Sequence, residues 1–241
     1  MGLDKYLIAG LKVEMEVNGA MLSERSLKYR FDFEGEPDIS IIRDEDLFRQ
    51  MCEQHPNLSE NAVEYMSTGA AFYYRLLKFG GFMLHSSCIS YCDKAYIFSA
   101  DSGTGKSTHT SLWRKYIDGV TVINDDKPAV RLIDGRFYAI GTPWSGKTAQ
   151  NTDISVPVGG VVMLYRGKEN TVRPARPTES VPFLIRQTMF PSRVENSDLL
   201  AELLDKFIRS VPVYRLECDM SEDAVKTSFE ALTKEKYIKR N

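Results

Sequence analysis

Over residues 5–57, short apolar runs alternate with charged positions. The spacing predicts strands over 6–17 and 39–42, with Asn18-Gly19 after Val17 as a hairpin turn. These residues form an expected small β-rich N-terminal lobe, 1–57. Ser59 then opens a helical pattern that runs to about Lys78, with Val63, Met66, Ala70, Tyr73, Tyr74 and Leu77 on one face. Gly80-Gly81 ends it. This helix, over 58–80, leads into a larger expected unit, 58–241.

From Phe82 onward, buried-strand patterns alternate with amphipathic helices. Strands are expected over 82–90, 94–98, 120–123 and 158–165, and a final one over 211–218. Asp134-Gly135 between 130–133 and 137–140 is a strong two-residue hairpin signal. A helix over 106–117 carries Leu112, Trp113, Tyr116 and Ile117 at helical spacing, and Gly119 closes it. Further helices are expected over 179–189 and 198–209, the second marked by Leu199, Leu200, Leu203, Leu204, Phe207 and Ile208. Ser221 caps a last one. The fold class is α/β, a mixed β-sheet flanked by helices.

Composition narrows the function. The chain has 241 residues, 43% of them hydrophobic and 27% charged, with a formal net charge of −2. That is the balance of an ordinary globular protein. The densest basic stretch, 234–240, is broken by Glu235, Tyr237 and Ile238, so nucleic acid is not an expected partner. No apolar run is long enough for a bilayer, and MGLDKYLIAGLKVEM does not read as a signal peptide. Met1-Gly2 is no myristoylation signal, because position 6 is Tyr. Cys88 and Cys92 lack a second pair, so Cys52, Cys88, Cys92 and Cys218 read as free thiols of a cytoplasmic protein rather than a zinc site.

The segment FSADSGTGKSTHT, 98–110, carries the candidate chemistry. Its SGTGKST matches the end of the phosphate-loop pattern, with Ala100 where the first glycine belongs. A strand, a turn and a helix start follow in the order a phosphate needs, so that backbone N–H groups and the positive helix end face the anion. The expected nucleotide contacts are Ser102, Gly103, Thr104, Gly105, Lys106, Ser107 and Thr108. Lys106 neutralises the terminal phosphates and the Ser107 hydroxyl faces Mg²⁺. Ala100 costs little if its φ is negative.

Asn124-Asp125-Asp126 follows the strand 120–123. Strand carboxyl ends collect ligands in sheets of this kind. Two neighbouring carboxylates there can hold a metal and take a proton, and one charge beside another raises one pKa of the pair. His85, one of three histidines, lies in a strand expected to adjoin that of the phosphate loop.

Together, LHSS (84–87), SGTGKST and NDD resemble the HPr kinase/phosphorylase family, whose nucleotide-binding core is shared with ATP-dependent phosphoenolpyruvate carboxykinase. The likeness covers 82–165 and extends more loosely through Gly141-Thr142-Pro143-Trp144, the strand 160–165 and Val213-Tyr214-Arg215-Leu216-Glu217. It resembles a compact branch without the separate N-terminal domain. The resemblance implies a P-loop core and an ATP- and Mg²⁺-dependent kinase that phosphorylates a hydroxyl of a protein, peptide or small molecule. It implies Asp125, His85 and Lys106 as catalytic residues and Ser107 and Asp126 as the metal side, with the choice of base between the two aspartates left open. By analogy with the oligomeric HPr kinases, Arg186 and Arg193 are candidates to reach phosphates across a subunit interface. Lys127 and Lys147 are further cation candidates. The rival readings are a phosphoenolpyruvate carboxykinase-like lyase and a nucleotide sensor without transfer.

Overall fold

The structure, a computed structural model, describes residues 3–190 and 194–239. Met1-Gly2, Arg193 and Arg240, which entered the sequence reading, lie outside them.

The N-terminal part differs from the pattern expected of it. The stretch 6–17 is two strands, β1 (Asp4–Ile8) and β2 (Leu11–Met15), paired antiparallel. Ala9 (φ 54°) and Gly10 (φ 74°) turn the chain between them, the two left-handed residues a tight hairpin needs. β3 (Ile39–Ile41) adds a third strand parallel to β2. Asn18-Gly19 makes no hairpin. Both backbone N–H groups donate to the Glu64 carboxylate, at 2.8 and 2.6 Å, and helix α1 (Ala20–Ser26) starts there. A second helix, α2 (Glu45–Gln54), is capped by Asp44, whose side chain accepts from the N–H groups of Asp46 and Leu47. The lobe is therefore a small sheet with two helices and not β-rich alone.

Helix α3 (Glu60–Leu76) begins at Ser59, whose hydroxyl accepts from the Ala62 N–H. Its buried face is Val63, Tyr65, Phe72, Tyr73 and Leu76, while Met66 is exposed. The face is rotated from the expected one because α3 packs against both the small sheet and Trp144. The Phe72 and Trp144 rings stack at 4.9 Å, in one apolar cluster with Tyr6, Ile8, Val13 and Ile39.

Among the described residues the main sheet has nine strands. They are β4 (Gly81–Met83), β5 (Ser86–Tyr91), β6 (Lys94–Ser99), β7 (Thr121–Asp126), β8 (Ala129–Ile133), β9 (Arg136–Ile140), β10 (Ser155–Arg166), β11 (Thr171–Pro174) and β12 (Val213–Cys218). The order is β4-β8-β9-β10-β6-β5-β7, with β12 also on β10 and β11 on β12. β6, β10 and β12 are mutually parallel, and β5 runs antiparallel to both β6 and β7. β6 and β7 therefore end at the same edge of the sheet. Alternate residues pack on opposite faces. Ile97 and Met163 join Leu200, Leu203 and Phe207 on the side of α5 (Pro177–Gln187) and α6 (Val194–Ser210). Phe98 and Val162 join Trp113 and Phe229 on the side of α4 (Lys106–Tyr116) and α7 (Glu222–Thr233). Leu199, assigned to the apolar face of α6, is exposed at its margin. No helix among the described residues is long and apolar enough to cross a membrane.

Two strand boundaries bear on the site. The expected strand 82–90 breaks at His85, between β4 and β5, where Leu84 bridges to Thr188 instead. β7 does not stop at Ile123 but carries Asn124, Asp125 and Asp126 in its ladder with β5.

Candidate functional site

β6 ends at Ser99 and hands the chain to the loop 100–105. Ala100 is fully buried among the apolar residues under α4, and its φ is not positive, so the methyl group sits in core rather than in the loop's cradle. Gly103 (φ 76°) and Gly105 (φ 123°) take the conformations that favour glycine, and the space a Cβ would enter beside each is open. Gly105 is the N-cap of α4 and no side chain caps it. The first-turn N–H groups thus face outward without a side-chain partner. Ser102, Ser107 and Thr108 are exposed there. Lys106 folds back so that its Nζ donates to the Ala100 carbonyl at 3.0 Å. Burial lowers the Lys106 pKa, opposed by the charges of Asp126, Asp125 and Asp101.

Ser86, first residue of β5, stands opposite Ser99 of β6 on one side and Asp126 of β7 on the other. The residue before it, His85, therefore sits between the phosphate-type loop and the aspartate pair. Its Nε2 is 3.2 Å from Asp126 Oδ1 and its Nδ1 is 3.1 Å from Gln187 Oε1. Its backbone is tied as well: His85 N–H donates to the Gln187 carbonyl at 2.7 Å, and the His85 carbonyl accepts from Ser99 Oγ at 2.7 Å. Gln187 Nε2 donates to Asp101 Oδ1 at 3.1 Å. A side-chain path thus runs Asp126, His85, Gln187, Asp101, from β7 to the loop.

The two aspartates do not share an environment. Asp126 is bonded through Oδ1 to His85 and through Oδ2 to Lys127. Burial pushes its pKa up, but the hydrogen bond from His85 and the Lys127 charge outweigh this and hold it at about 2. For Asp126 these partners outweigh any effect of the neighbouring carboxylate, because successive strand residues point to opposite faces and each carboxylate meets other partners. Asp125 pairs in register with Ser87, whose hydroxyl lies 2.7 Å from Thr110 Oγ1 on α4. Cross-strand neighbours share a face, so Asp125 faces the α4 side. It is 7% exposed, and its Oδ2 accepts from Thr148 Oγ1 at 2.9 Å. Oδ1 has no hydrogen-bond partner among the described residues.

The loop 141–151 wraps this end of β7. Asp125 donates its N–H to the Gln150 carbonyl and accepts at its own carbonyl from Gly146, at 3.0 and 2.8 Å. A Cβ on Gly146 would lie 2.5 Å from the Asp125 carbonyl oxygen, which is why this position has no side chain. Buried Asn124 donates to the Thr142 and Trp144 carbonyls and accepts from the Lys127 N–H. Lys147 points to solvent without a hydrogen bond among the described residues, and Arg186 is exposed on α5. Neither joins the cluster.

Sequence reasoning missed Gln187 and Thr148. Gln187 is 5% exposed at the last turn of α5. A glutamine ending an amphipathic helix carries no signal by itself; only its burial marks it. Among the described residues, no group of three or more His, Cys, Asp and Glu side chains comes together as a metal cluster. Cys88 is buried, which pushes its thiol pKa up, and Cys92 is exposed.

A bound Mg²⁺-nucleotide fits these residues. The loop offers open backbone at Gly103 and Gly105, an uncapped helix start and one lysine. The carboxylates and the Ser107 hydroxyl are hard oxygen donors of the type Mg²⁺ takes alongside phosphate oxygens.

No protein-family model and no curated protein matches the chain. Among solved structures it is similar to the Hpr(Ser) kinase/phosphatase from Coxiella burnetii, at 10% sequence identity and a TM-score of 0.33, over 63% of this chain and 93% of that one. The likeness is remote, and the functional reading rests on the side-chain geometry.

Proposed function

We propose that this protein is an ATP-dependent phosphotransferase of the HPr-kinase-like type, which moves the γ-phosphoryl group to a hydroxyl. The observation that carries the reading is the meeting, at one sheet edge, of the loop after β6 with two aspartates of β7 and with His85 between them.

In this reading, backbone N–H groups from Gly103 to Thr108 surround the phosphates and Lys106 offsets their charge. Lys106 leaves the Ala100 carbonyl to do so. Mg²⁺, when bound, withdraws charge from the β- and γ-phosphate oxygens; Ser107 and an aspartate are the residues to hold it. Asp125 is the base. Its Oδ2 is oriented by Thr148 and its Oδ1 is unengaged, whereas both oxygens of Asp126 are occupied and its pKa of about 2 suits it poorly to accept a proton. The acceptor hydroxyl gives its proton to Asp125 as its oxygen bonds to Pγ. The bond from Pγ to the β,γ-bridging oxygen breaks and its electrons leave with ADP. Asp126 holds His85 and Lys127 beside the transferring group, where the Lys127 charge stabilises the oxygens that carry the developing negative charge.

The acceptor is a serine or other hydroxyl of a protein, peptide or small molecule. Transfer of labelled γ-phosphate, to water and to hydroxyl-bearing peptides, tests the reading. Wild type transfers; Lys106→Ala and Asp125→Asn each lose at least about 100-fold. Native rates in Lys106→Ala would falsify the assignment. A nucleotide sensor, by contrast, binds ATP and leaves the γ-phosphate in place.

A further inference from the structure

A polar cavity of about 560 Å³ lies between the N-terminal lobe and the loop 141–151. Met21, Glu24, Arg25 and Lys28 wall it from α1 and the turn that follows, and Ala149 and Asn151 wall it from the loop. The start of α3 borders it. No residue of the phosphate-type loop lines it, nor does His85 or either aspartate. We infer that this cavity binds a free α-amino acid, apart from the phosphate site, and that its occupancy braces the loop that orients Asp125. The cavity carries the binding by itself, and the effect on catalysis rests on the phosphotransferase reading.

Asn151 presents a buried acceptor that lacks a donor. The residue is 6% exposed. Its Nδ2 donates to the Pro143 carbonyl at 3.0 Å and to Ser145 Oγ at 3.4 Å, and its backbone carbonyl accepts from Lys28 Nζ at 2.7 Å. Its Oδ1 is buried and has no hydrogen-bond partner among the described residues. The loop takes the Nδ2 side of this amide, so Oδ1 is the side left for a ligand. A buried oxygen without a donor costs free energy, and a donor brought into the cavity relieves it.

The walls carry both signs of charge. Arg25 Nη1 donates to Tyr65 Oη at 2.7 Å and to the Ser145 carbonyl at 2.8 Å, and the guanidinium lies 4.7 Å from the centre of the Tyr65 ring. These contacts fix the group and leave Nε and Nη2 without a partner among the described residues. With Lys28 it suits a carboxylate. Glu24 is exposed beside Arg25 and makes no hydrogen bond among the described residues. It suits an ammonium, which can also donate to Asn151 Oδ1. A free amino acid carries both groups on one carbon. The carboxyl end of a peptide lacks the ammonium and the amino end lacks the carboxylate, so each leaves one wall unmatched. Met21 and the Ala149 methyl offer apolar surface to the ligand's side chain, and the volume is within the range of small-ligand pockets.

The same residues grip the loop that serves the base. Arg25 holds the Ser145 carbonyl and Lys28 holds that of Asn151. Between them, Gly146 N–H donates to the Asp125 carbonyl at 2.8 Å and Thr148 Oγ1 donates to Asp125 Oδ2 at 2.9 Å. A ligand bridging Arg25 and Asn151 ties together the two ends of the segment that carries Thr148.

Calorimetric titration of the whole protein with the common amino acids, one at a time, tests the site. At least one is expected to bind one-to-one, and at least about tenfold more tightly than its N-acetyl and amide derivatives, each of which keeps a single charge. Lys28→Met and Glu24→Gln are expected to weaken it about threefold or more, with the melting midpoint and Mg²⁺-ATP binding unchanged. Both side chains are exposed, so these variants fold. No binding by any amino acid, equal binding of the N-acetyl form, or variants that bind as wild type would each overturn the site; a cavity that holds water alone gives the first of these results. With the amino acid at saturation, kcat for transfer of labelled γ-phosphate to a hydroxyl-bearing peptide is expected to rise about twofold or more. Binding with unaltered kcat would overturn the bracing of the loop. Absence of any transfer while the amino acid binds would remove the phosphotransferase reading and leave the cavity's ligand in place.

Discussion

His85 Nε2 lies 3.2 Å from Asp126 Oδ1, across the gap between the start of β5 and the end of β7. His85 can reach it because β4 and β5 break at that residue, and Asp126 because β7 continues past Ile123. The pair joins two strands at the edge where the phosphate-type loop also ends.

Asp126 links the site to acid stability. Its folded pKa of about 2 lies below the ordinary 3.8, so its ionised form favours the folded state. The contribution is complete above about pH 4, falls as pH drops toward 2 and is gone below it, and is on the order of 2 kcal/mol. Asp126→Asn is expected to lower the denaturation midpoint at pH 7 and to leave it near the wild-type value at pH 2. An unchanged midpoint at pH 7 would show that the His85 and Lys127 contacts do not hold this carboxylate down.

Gln187 is a positioning residue. It fixes the His85 ring through Oε1 and ties it to Asp101 through Nε2. Gln187→Met keeps length and burial but removes both bonds. The expected result is a kcat lowered about tenfold or more, with nucleotide affinity nearly constant. Gln187→Glu, which keeps an oxygen toward the ring, should recover part of the rate. Loss of nucleotide affinity with unaltered kcat would contradict this role.

Ala100→Gly restores the glycine of the usual loop pattern, and it should bring no gain in nucleotide affinity. The Ala100 methyl is buried beneath α4 and does not face the cradle. Removing it should cost about 1 kcal/mol of stability, from lost burial and added chain freedom. A variant that binds nucleotide several-fold more tightly would place the methyl in the phosphate path after all.

Gly141 admits no side chain. A Cβ there would lie 1.6 Å from the Thr152 carbonyl oxygen. Gly141→Ala is expected to destabilise the fold by about 3 kcal/mol and to displace the loop that carries Thr148 to Asp125. Thermal melting together with transfer activity reads both effects, and a wild-type melt would show that the loop can yield without cost.

Local pattern was informative where a single element decides the outcome. The turn Asp134-Gly135 and the helix starts at Ser59 and Ser221 follow from capping and turn chemistry within a few residues. The N-terminal lobe was harder to read. Asn18-Gly19 has a hairpin signature, yet Glu64, 45 residues on, captures its N–H groups and turns the segment into a helix start. Met66 fits an apolar stripe by spacing, but α3 has two partners, and its buried face rotates to serve both.

Within the site the same division holds. The order of histidine, SGTGKST and paired aspartates is a property of the sequence, as are the glycines whose missing side chains the loop requires. Adjacency in sequence suggested that Asp125 and Asp126 act as a pair. Strand geometry separates them, one toward α4 and Thr148, the other toward His85 and Lys127. Gln187 reaches His85 across 102 positions. Periodicity and capping act over a few residues, so the sequence by itself determined the loop and most elements of the main sheet and its helices, but not those of the N-terminal lobe. Which carboxylate meets which partner depends on strand register and on helices packed from far along the chain, and only the tertiary structure decided it.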